Sequence, residues 1–182
     1  MAAKLRIEPF DRSRHIREDF NSGVDSVDSY LRLTAGKLAK AGNVRFYVLV
    51  DLEKPDEIIG FYTLNAHAVN HGELPVKFKR SAPGHGNIPA AFLSMMGVDS
   101  RRQGQQLGTH LLADALKRIV IGAASVATAV VILDVIKCGD EEKTYQRIRF
   151  YEKFGFQPLK SQPTRLFLPV SHITESLKPK KG

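Results

Sequence analysis

Apolar positions along this chain fall into short runs whose period changes several times. Leu5 to Glu8 alternates weakly and predicts a first strand. Asn21 and Ser22 are candidate N-caps, and Val24, Val27, Leu31, Leu38 and Ala39 form a helical stripe up to Gly42. Val44 to Val50 and Ile58 to Val69 are rich in β-branched and aromatic residues, with Pro55 between them, and predict a hairpin. Asn70 to Pro89 holds three prolines and three glycines and predicts a long loop, a length uncommon unless it binds something. Ala90 to Val98 resumes as a strand ending at Asp99, and a polar turn from Ser100 to Gln106 leads into a helix. Leu107, Leu111, Leu112, Ala115, Leu116 and Ile119 lie on one side of that helix, His110, Asp114 and Lys117 on the other. Ala127 to Val135 has the unbroken apolar character of a strand buried on both faces. Asp140 caps a helix to Lys153 that Gly155 ends, and Phe156 and Arg165 to Val170 form closing strands. This order predicts an α/β chain, a central mixed β-sheet flanked by helices, as one domain over 1–177 with a basic, disordered tail over 178–182.

Composition narrows the class. The chain has 182 residues, 43% hydrophobic and 25% charged, which suits a single soluble domain. No N-terminal stretch has signal-peptide order, and the apolar run Ile119 to Leu133 is too short to span a bilayer, so no membrane role and a cytoplasmic location are expected. Cys138 is the single cysteine, so neither an internal disulfide nor a thiolate zinc site is available, and nothing beside it in sequence suggests a lowered pKa. His67 and His71 bracket a strand-to-loop transition without a further ligand, so no metal is expected. The formal charge of +8 favours a polyanionic partner: nucleic acid, an acidic protein or the phosphates of a cofactor.

The segment Gln103-Gly104-Gln105-Gln106-Leu107-Gly108 joins a strand end to a helix start. Backbone N–H groups there lack intrahelical partners, the helix dipole adds positive charge, and glycine lets a ligand approach the backbone. Such a turn suits a phosphate or pyrophosphate, with Arg101 and Arg102 beside it as added charge. An ordinary strand–helix connection has the same outline.

This turn resembles the Gln/Arg-x-x-Gly-x-Gly/Ala turn of the GNAT acetyltransferases, with Gln106 where the first motif glycine is usual. Phe150-Tyr151-Glu152-Lys153-Phe154-Gly155-Phe156 is similar to the family's Phe-Tyr-Glu-x-x-Gly-Phe. The resemblance implies acetyl-CoA as acetyl donor, held by Gln103, Gly104, Gln105, Gln106, Leu107, Gly108, Thr109 and Phe150. It also implies a bulge at Met96-Gly97-Val98 whose N–H groups face the acetyl carbonyl, and Tyr151 as the acid that protonates the departing thiolate. Without the resemblance, Tyr151 reads rather as a packed aromatic whose hydroxyl meets a nearby backbone group. Ala90 to Val98 carries no carboxylate to act as base, which suits an α-amine acceptor near pKa 7.7–8 better than a lysine.

The N-terminal half is similar to the toxin branch of the family. Phe20-Asn21-Ser22-Gly23, Val27-Asp28-Ser29-Tyr30-Leu31, the hairpin residues Arg45 to Val48 and Ile59 to Leu64, Ile88-Pro89, and Asp114 to Arg118 carry this likeness, while Tyr30 and Met95 depart from it. The resemblance implies acetylation of aminoacyl-tRNA to block translation, a ribbon-helix-helix antitoxin as partner, and homodimers as in other members. Arg12, Arg14, Arg17, Lys77, Lys79, Arg80 and the C-terminal lysines are candidate tRNA contacts. Two other readings stay open: acetylation of a small amine or protein N-terminus, and a non-catalytic RNA- or protein-binding module.

Overall fold

The computed structural model describes residues 4–79 and 86–177. Arg80 and the tail over 178–182 therefore lie outside the described residues. A seven-stranded mixed sheet in the order β1-β2-β3-β4-β5-β7-β6 is flanked by helices, as the alternation of strand and helix patterns predicts. The chain divides into two compact units, Met1–Asn65 with Leu93–Ala115, and Ala66–Phe92 with Leu116–Gly182.

In the first unit β1 (Leu5–Pro9) runs antiparallel to β2 (Arg45–Asp51), and β2 runs antiparallel to β3 (Gly60–Asn70). The pairings Phe46↔Thr63 and Val48↔Phe61 place these four side chains on one face, while Tyr47↔Tyr62 faces the other way. The predicted helix after residue 21 is wound in three pieces: α1 (Asp25–Ser29), a π-helical stretch Tyr30–Ala35, and α2 (Gly36–Lys40). The apolar residues buried here are Val27, Leu31 and Ala35, spaced by four. In an α-helix each step of four drifts about 40° around the axis. The wider π turn reduces that drift and holds the three side chains over the sheet.

Asn21 and Ser22 do not cap this helix. Its N-cap is Val24, without a side-chain hydrogen bond. Ser22 instead donates through its backbone N–H (2.8 Å) and Oγ (2.7 Å) to the buried Asp28 carboxylate, which folds the preceding loop onto the first turn.

In the second unit β5 (Val130–Asp134) runs antiparallel to β7 (Arg165–Pro169), which also pairs with the short β6 (Gln157–Pro158). Val130 to Leu133 are buried consecutively, as expected, but the strand begins later than Ala127 because Ala127 and Ala129 are exposed. Val69, Leu74, Ile88, Ala90, Ile132 and Phe167 belong to one apolar cluster, with Phe78 and Phe92 against it. Phe78 lies on α3 (Val76–Lys79), the helical turn within the expected long loop. α5 (Glu141–Glu152) is capped as predicted, Asp140 accepting from the Lys143 N–H at 3.1 Å, and Gly155 follows with φ of 92°. α6 (Val170–Leu177) has no counterpart in the predicted order.

Two further elements, like β3, run through both units. β4 (Asn87–Val98) starts three residues before the predicted Ala90, since Ile88 and Ala90 both turn inward around Pro89. α4 (Leu107–Ala123) buries the predicted stripe from Leu107 to Ile119.

Candidate active site

The end of β4 is fastened by Asp99, whose carboxylate is fully buried. It accepts from Arg101 Nε at 2.8 Å, Arg101 Nη2 at 3.0 Å, the Arg101 N–H at 3.0 Å and the Asn21 N–H at 3.2 Å. Burial alone would raise this carboxyl, but the hydrogen bonds from Arg101 and Asn21 outweigh it and hold the group below the usual range. The charge expected of Arg101 at the turn is thus neutralised by Asp99, and Arg102 lies 3.5 Å from Asp51. Both arginines are thus ion-paired with carboxylates at the connection.

The short 3₁₀ turn Ser100–Arg102 leads to Gln103, whose side-chain amide donates to the carbonyls of Val98 (3.0 Å) and Ser22 (2.9 Å). This explains a glutamine at that position: it ties the turn to the strand it leaves and to the loop before α1. Gly104 follows with φ of 79° and nothing within 4 Å of where a Cβ would stand. Gln106 has φ of 59°, the one left-handed non-glycine among the described residues. A left-handed backbone there is the physical reason for glycine at this motif position, and Gln106 adopts the conformation while carrying a side chain. Gln103, Gly104, Gln105, Gln106 and Thr109 are exposed, Gly108 is half-buried, and the Leu107 side chain is buried as the anchor of α4. The first N–H groups of this 17-residue helix have no carbonyl within the helix to reach and stand at its positive end. Exposed backbone donors beside an open glycine fit a pyrophosphate.

Upstream on β4, Ser94 Oγ lies 2.9 Å from Thr63 Oγ1, which lies 3.1 Å from the Tyr30 hydroxyl. A Cβ on Gly97 would point at Val27 Cγ1 (2.7 Å), Phe61 (3.1 Å) and Phe20 (3.5 Å). Thr63 and Phe61 share one face of β3, so Ser94 and Gly97 both turn toward the α1 side although they stand an odd three positions apart. Strict alternation would put them on opposite faces, so it is broken between Ser94 and Gly97, as in a β-bulge. Met96 and Val98 flank Gly97 and are half-buried.

In the second unit Tyr151 is half-buried on α5, with the Phe150 ring 5.0 Å and the Phe156 ring 5.8 Å away. Burial pushes its phenol up to about 12, with the Arg147 guanidinium opposing. Such a phenol stays protonated throughout the physiological range. Arg147 donates to the Ile136 carbonyl at 3.0 Å and lies 3.1 Å from Cys138 Sγ. The Cys138 thiol is therefore lowered by the Arg147 hydrogen bond, which corrects the expectation that nothing near it would do so. His67 sits beside the Phe92 ring at 5.1 Å.

Val98 and the 103–109 turn lie in the first unit, Phe150 and Tyr151 in the second. Sequence reasoning did not foresee this division. It missed Thr63 and Ser94, the Arg147 contact with Cys138, and the role of Asp114. It placed Asp114 on the polar side of α4, but Asp114 is half-buried and accepts from the Tyr62 hydroxyl at 2.5 Å. Cross-strand and strand-to-helix partners depend on register, which hydrophobic period does not reveal. Of the described basic candidates, Arg14 joins Glu8 and His15, Arg17 donates to the Arg32 carbonyl, Lys77 stacks on Phe78, and Lys79 reaches the Gly72 carbonyl. Arg12 is exposed.

A seven-stranded mixed sheet flanked by helices, with β4 passing through a glycine-bearing turn into α4, has the fold of an acetyltransferase family. Residues 42–158 match the family description "Acetyltransferase (GNAT) domain", and the chain belongs to that family. It is 48% identical over 172 residues to the "Probable toxin TacT" of Sinorhizobium fredii, covering 94% of each chain. It is 32% identical over 149 residues to a "tRNA-acetylating toxin" of Mycobacterium tuberculosis, covering 82% of each. Among solved structures, "AtaT complexed with acetyl-methionyl-tRNAfMet" matches in fold with a TM-score of 0.84 at 22% identity, over 96% of this chain and 100% of that one. Among the described residues no helix is long and apolar enough to cross a membrane.

Proposed function

We propose that this chain is a cytoplasmic toxin that moves the acetyl group of acetyl-CoA to the α-amino group of an aminoacyl-tRNA and so blocks translation. The observation that carries this is the 32% identity, over 82% of both chains, to a tRNA-acetylating toxin. The identity to a probable toxin over 94% of the chain supports an antitoxin partner, which by resemblance is of the ribbon-helix-helix type. The formal charge of +8 suits an RNA substrate.

Acetyl-CoA supplies the acetyl group as a thioester. Backbone N–H groups from Gly104 to Thr109 bind its pyrophosphate, with Gln103 holding the turn in shape. Backbone N–H groups of Met96, Gly97 and Val98 orient the acetyl carbonyl and stabilise the negative charge that develops on its oxygen. Tyr151 gives its phenolic proton to the departing thiolate, and its raised pKa keeps that proton in place until transfer.

The test is radiolabelled acetyl-CoA incubated with charged total tRNA and either wild type or Tyr151→Phe. Label in the tRNA fraction, reduced by about 10²-fold or more in the variant, supports donor, acceptor and acid together. Label passing to a small amine but not to tRNA would keep the chemistry and discard the toxin assignment.

A further inference from the structure

The first unit holds a run of hydroxyls for which the reading above has no use. Thr63 is fully buried on β3, yet its Oγ1 has a hydroxyl on either side: Ser94 Oγ of β4 at 2.9 Å and the Tyr30 Oη of the π-helical stretch at 3.1 Å. Ser94 and Tyr30 are both half-exposed. A hydrogen-bonded path therefore passes through the core from one half-exposed residue to another. In both links either oxygen can be the donor, and Ser94 Oγ has a second acceptor, the Thr63 carbonyl at 3.3 Å. The run can thus hold its protons in either sense, as a proton conductor requires.

Its position gives it a task. Ser94 precedes Gly97 by three residues on β4 and turns to the same side of the sheet, next to the stretch assigned to the acetyl carbonyl. An attacking amine must lose a proton there, and β4 offers no carboxylate or imidazole between Asn87 and Val98. We propose that Ser94, Thr63 and Tyr30 form a relay that carries the acceptor amine's proton to solvent; this rests on the acetyl-transfer reading above. As the C–N bond forms, the N–H electron pair stays on nitrogen and the proton passes to Ser94 Oγ. Ser94 passes its own proton to Thr63, Thr63 to Tyr30, and Tyr30 to water, so each hydroxyl ends neutral. The C–S electron pair leaves with sulfur, which takes the Tyr151 proton. The relay needs no group of unusual pKa, which suits an α-amine that is already partly neutral.

The experiment measures acetyl transfer from labelled acetyl-CoA to charged total tRNA and to an amino acid ester. It compares wild type, Ser94→Ala, Thr63→Val, Thr63→Ser and Tyr30→Phe in weak buffer with and without added imidazole, each protein checked by thermal melting. We expect kcat to fall by about 10²-fold in Ser94→Ala and Thr63→Val, with KM for acetyl-CoA unchanged and Thr63→Ser close to wild type. Imidazole should restore kcat in Ser94→Ala and leave wild type unaffected. Full activity in Ser94→Ala, or a loss that imidazole does not restore in a folded variant, overturns the relay. A wild type that acetylates the ester but not tRNA overturns the tRNA assignment alone, and the variants are then read on the ester. A wild type that acetylates no amine overturns both.

Discussion

The Tyr62 hydroxyl on β3 donates to the Asp114 carboxylate on α4 across 2.5 Å. Tyr62 is fully buried and stacks on Tyr47 at 5.2 Å, so its hydroxyl reaches from the sheet to the helix whose N-terminus forms the proposed pyrophosphate site. Tyr62→Phe keeps the ring stack and deletes this hydrogen bond. A bond to a charged acceptor contributes about 1.5–3 kcal/mol, so the variant should lose stability of that order in urea unfolding. A double-mutant cycle with Asp114→Ala should show coupling of similar size, and additive losses would mean that the short contact contributes nothing of its own.

Gln106 offers the opposite sign. A side chain at φ of 59° carries strain of roughly 1–2 kcal/mol that glycine would not. The greater freedom of glycine in the unfolded chain offsets part of that gain. Gln106→Gly is therefore expected to be neutral or to stabilise by up to about 1 kcal/mol, with KM for acetyl-CoA the same or lower. Gln106→Val, β-branched in a left-handed position, should destabilise and raise that KM. A glycine variant with a much higher KM would mean that the Gln106 side chain itself contacts the donor.

These two positions differ in how far sequence could reveal them. The strand-turn-helix around Gln103 to Leu107, the Asp140 cap and the buried stripe of α4 are local features, written in spacing and in turn residues. The departure at Gln106 was visible, but its left-handed backbone was not, because a side chain usually argues against that conformation. α6 was missed because the apolar run Leu166 to Val170 reads as one continuous strand, although Pro169 closes β7 immediately before Val170 opens the helix. The π-helical stretch follows from a stripe spaced by four, which a search at a period of 3.6 reads as an ordinary helix. The meeting of Ser94 with Thr63, and of Arg147 with Cys138, is tertiary, and no local pattern encodes it.

His15 makes the fold sensitive to mild acid. Its side chain is fully buried, with Nδ1 accepting the Asp11 N–H at 2.9 Å and Nε2 2.9 Å from Glu8 Oε1. Burial first, and the neighbouring Arg14 guanidinium next, hold its pKa below the ordinary value of 6.5. A base whose pKa is lower in the folded chain stabilises fully above the unfolded value, and that stability is lost as pH falls from 6.5 through the folded value. Urea midpoints for the wild type should therefore drop between about pH 7.5 and pH 5.5, and the drop should shrink in His15→Leu. An equal drop in both proteins would place the acid sensitivity elsewhere.

Gly97 tests the strand at the centre of the proposed chemistry. A Cβ there would stand 2.7 Å from Val27 Cγ1 and 3.1 Å from Phe61, both buried, so neither can swing into solvent. The strand must move away from α1, and overpacking of this kind costs about 1–3 kcal/mol. Moving the strand also moves the N–H groups of Met96 to Val98, which are proposed to meet the negative charge developing on the acetyl oxygen. That interaction strengthens as the reaction proceeds, so its loss should appear in kcat more than in KM. Gly97→Ala is expected to remain folded, with a lowered urea midpoint and kcat reduced by about 10²-fold. The paired variant Gly97→Ala with Val27→Ala removes the nearer clash and should recover both. Recovery of stability without recovery of kcat would mean that Gly97 serves the reaction through something other than the position of its strand.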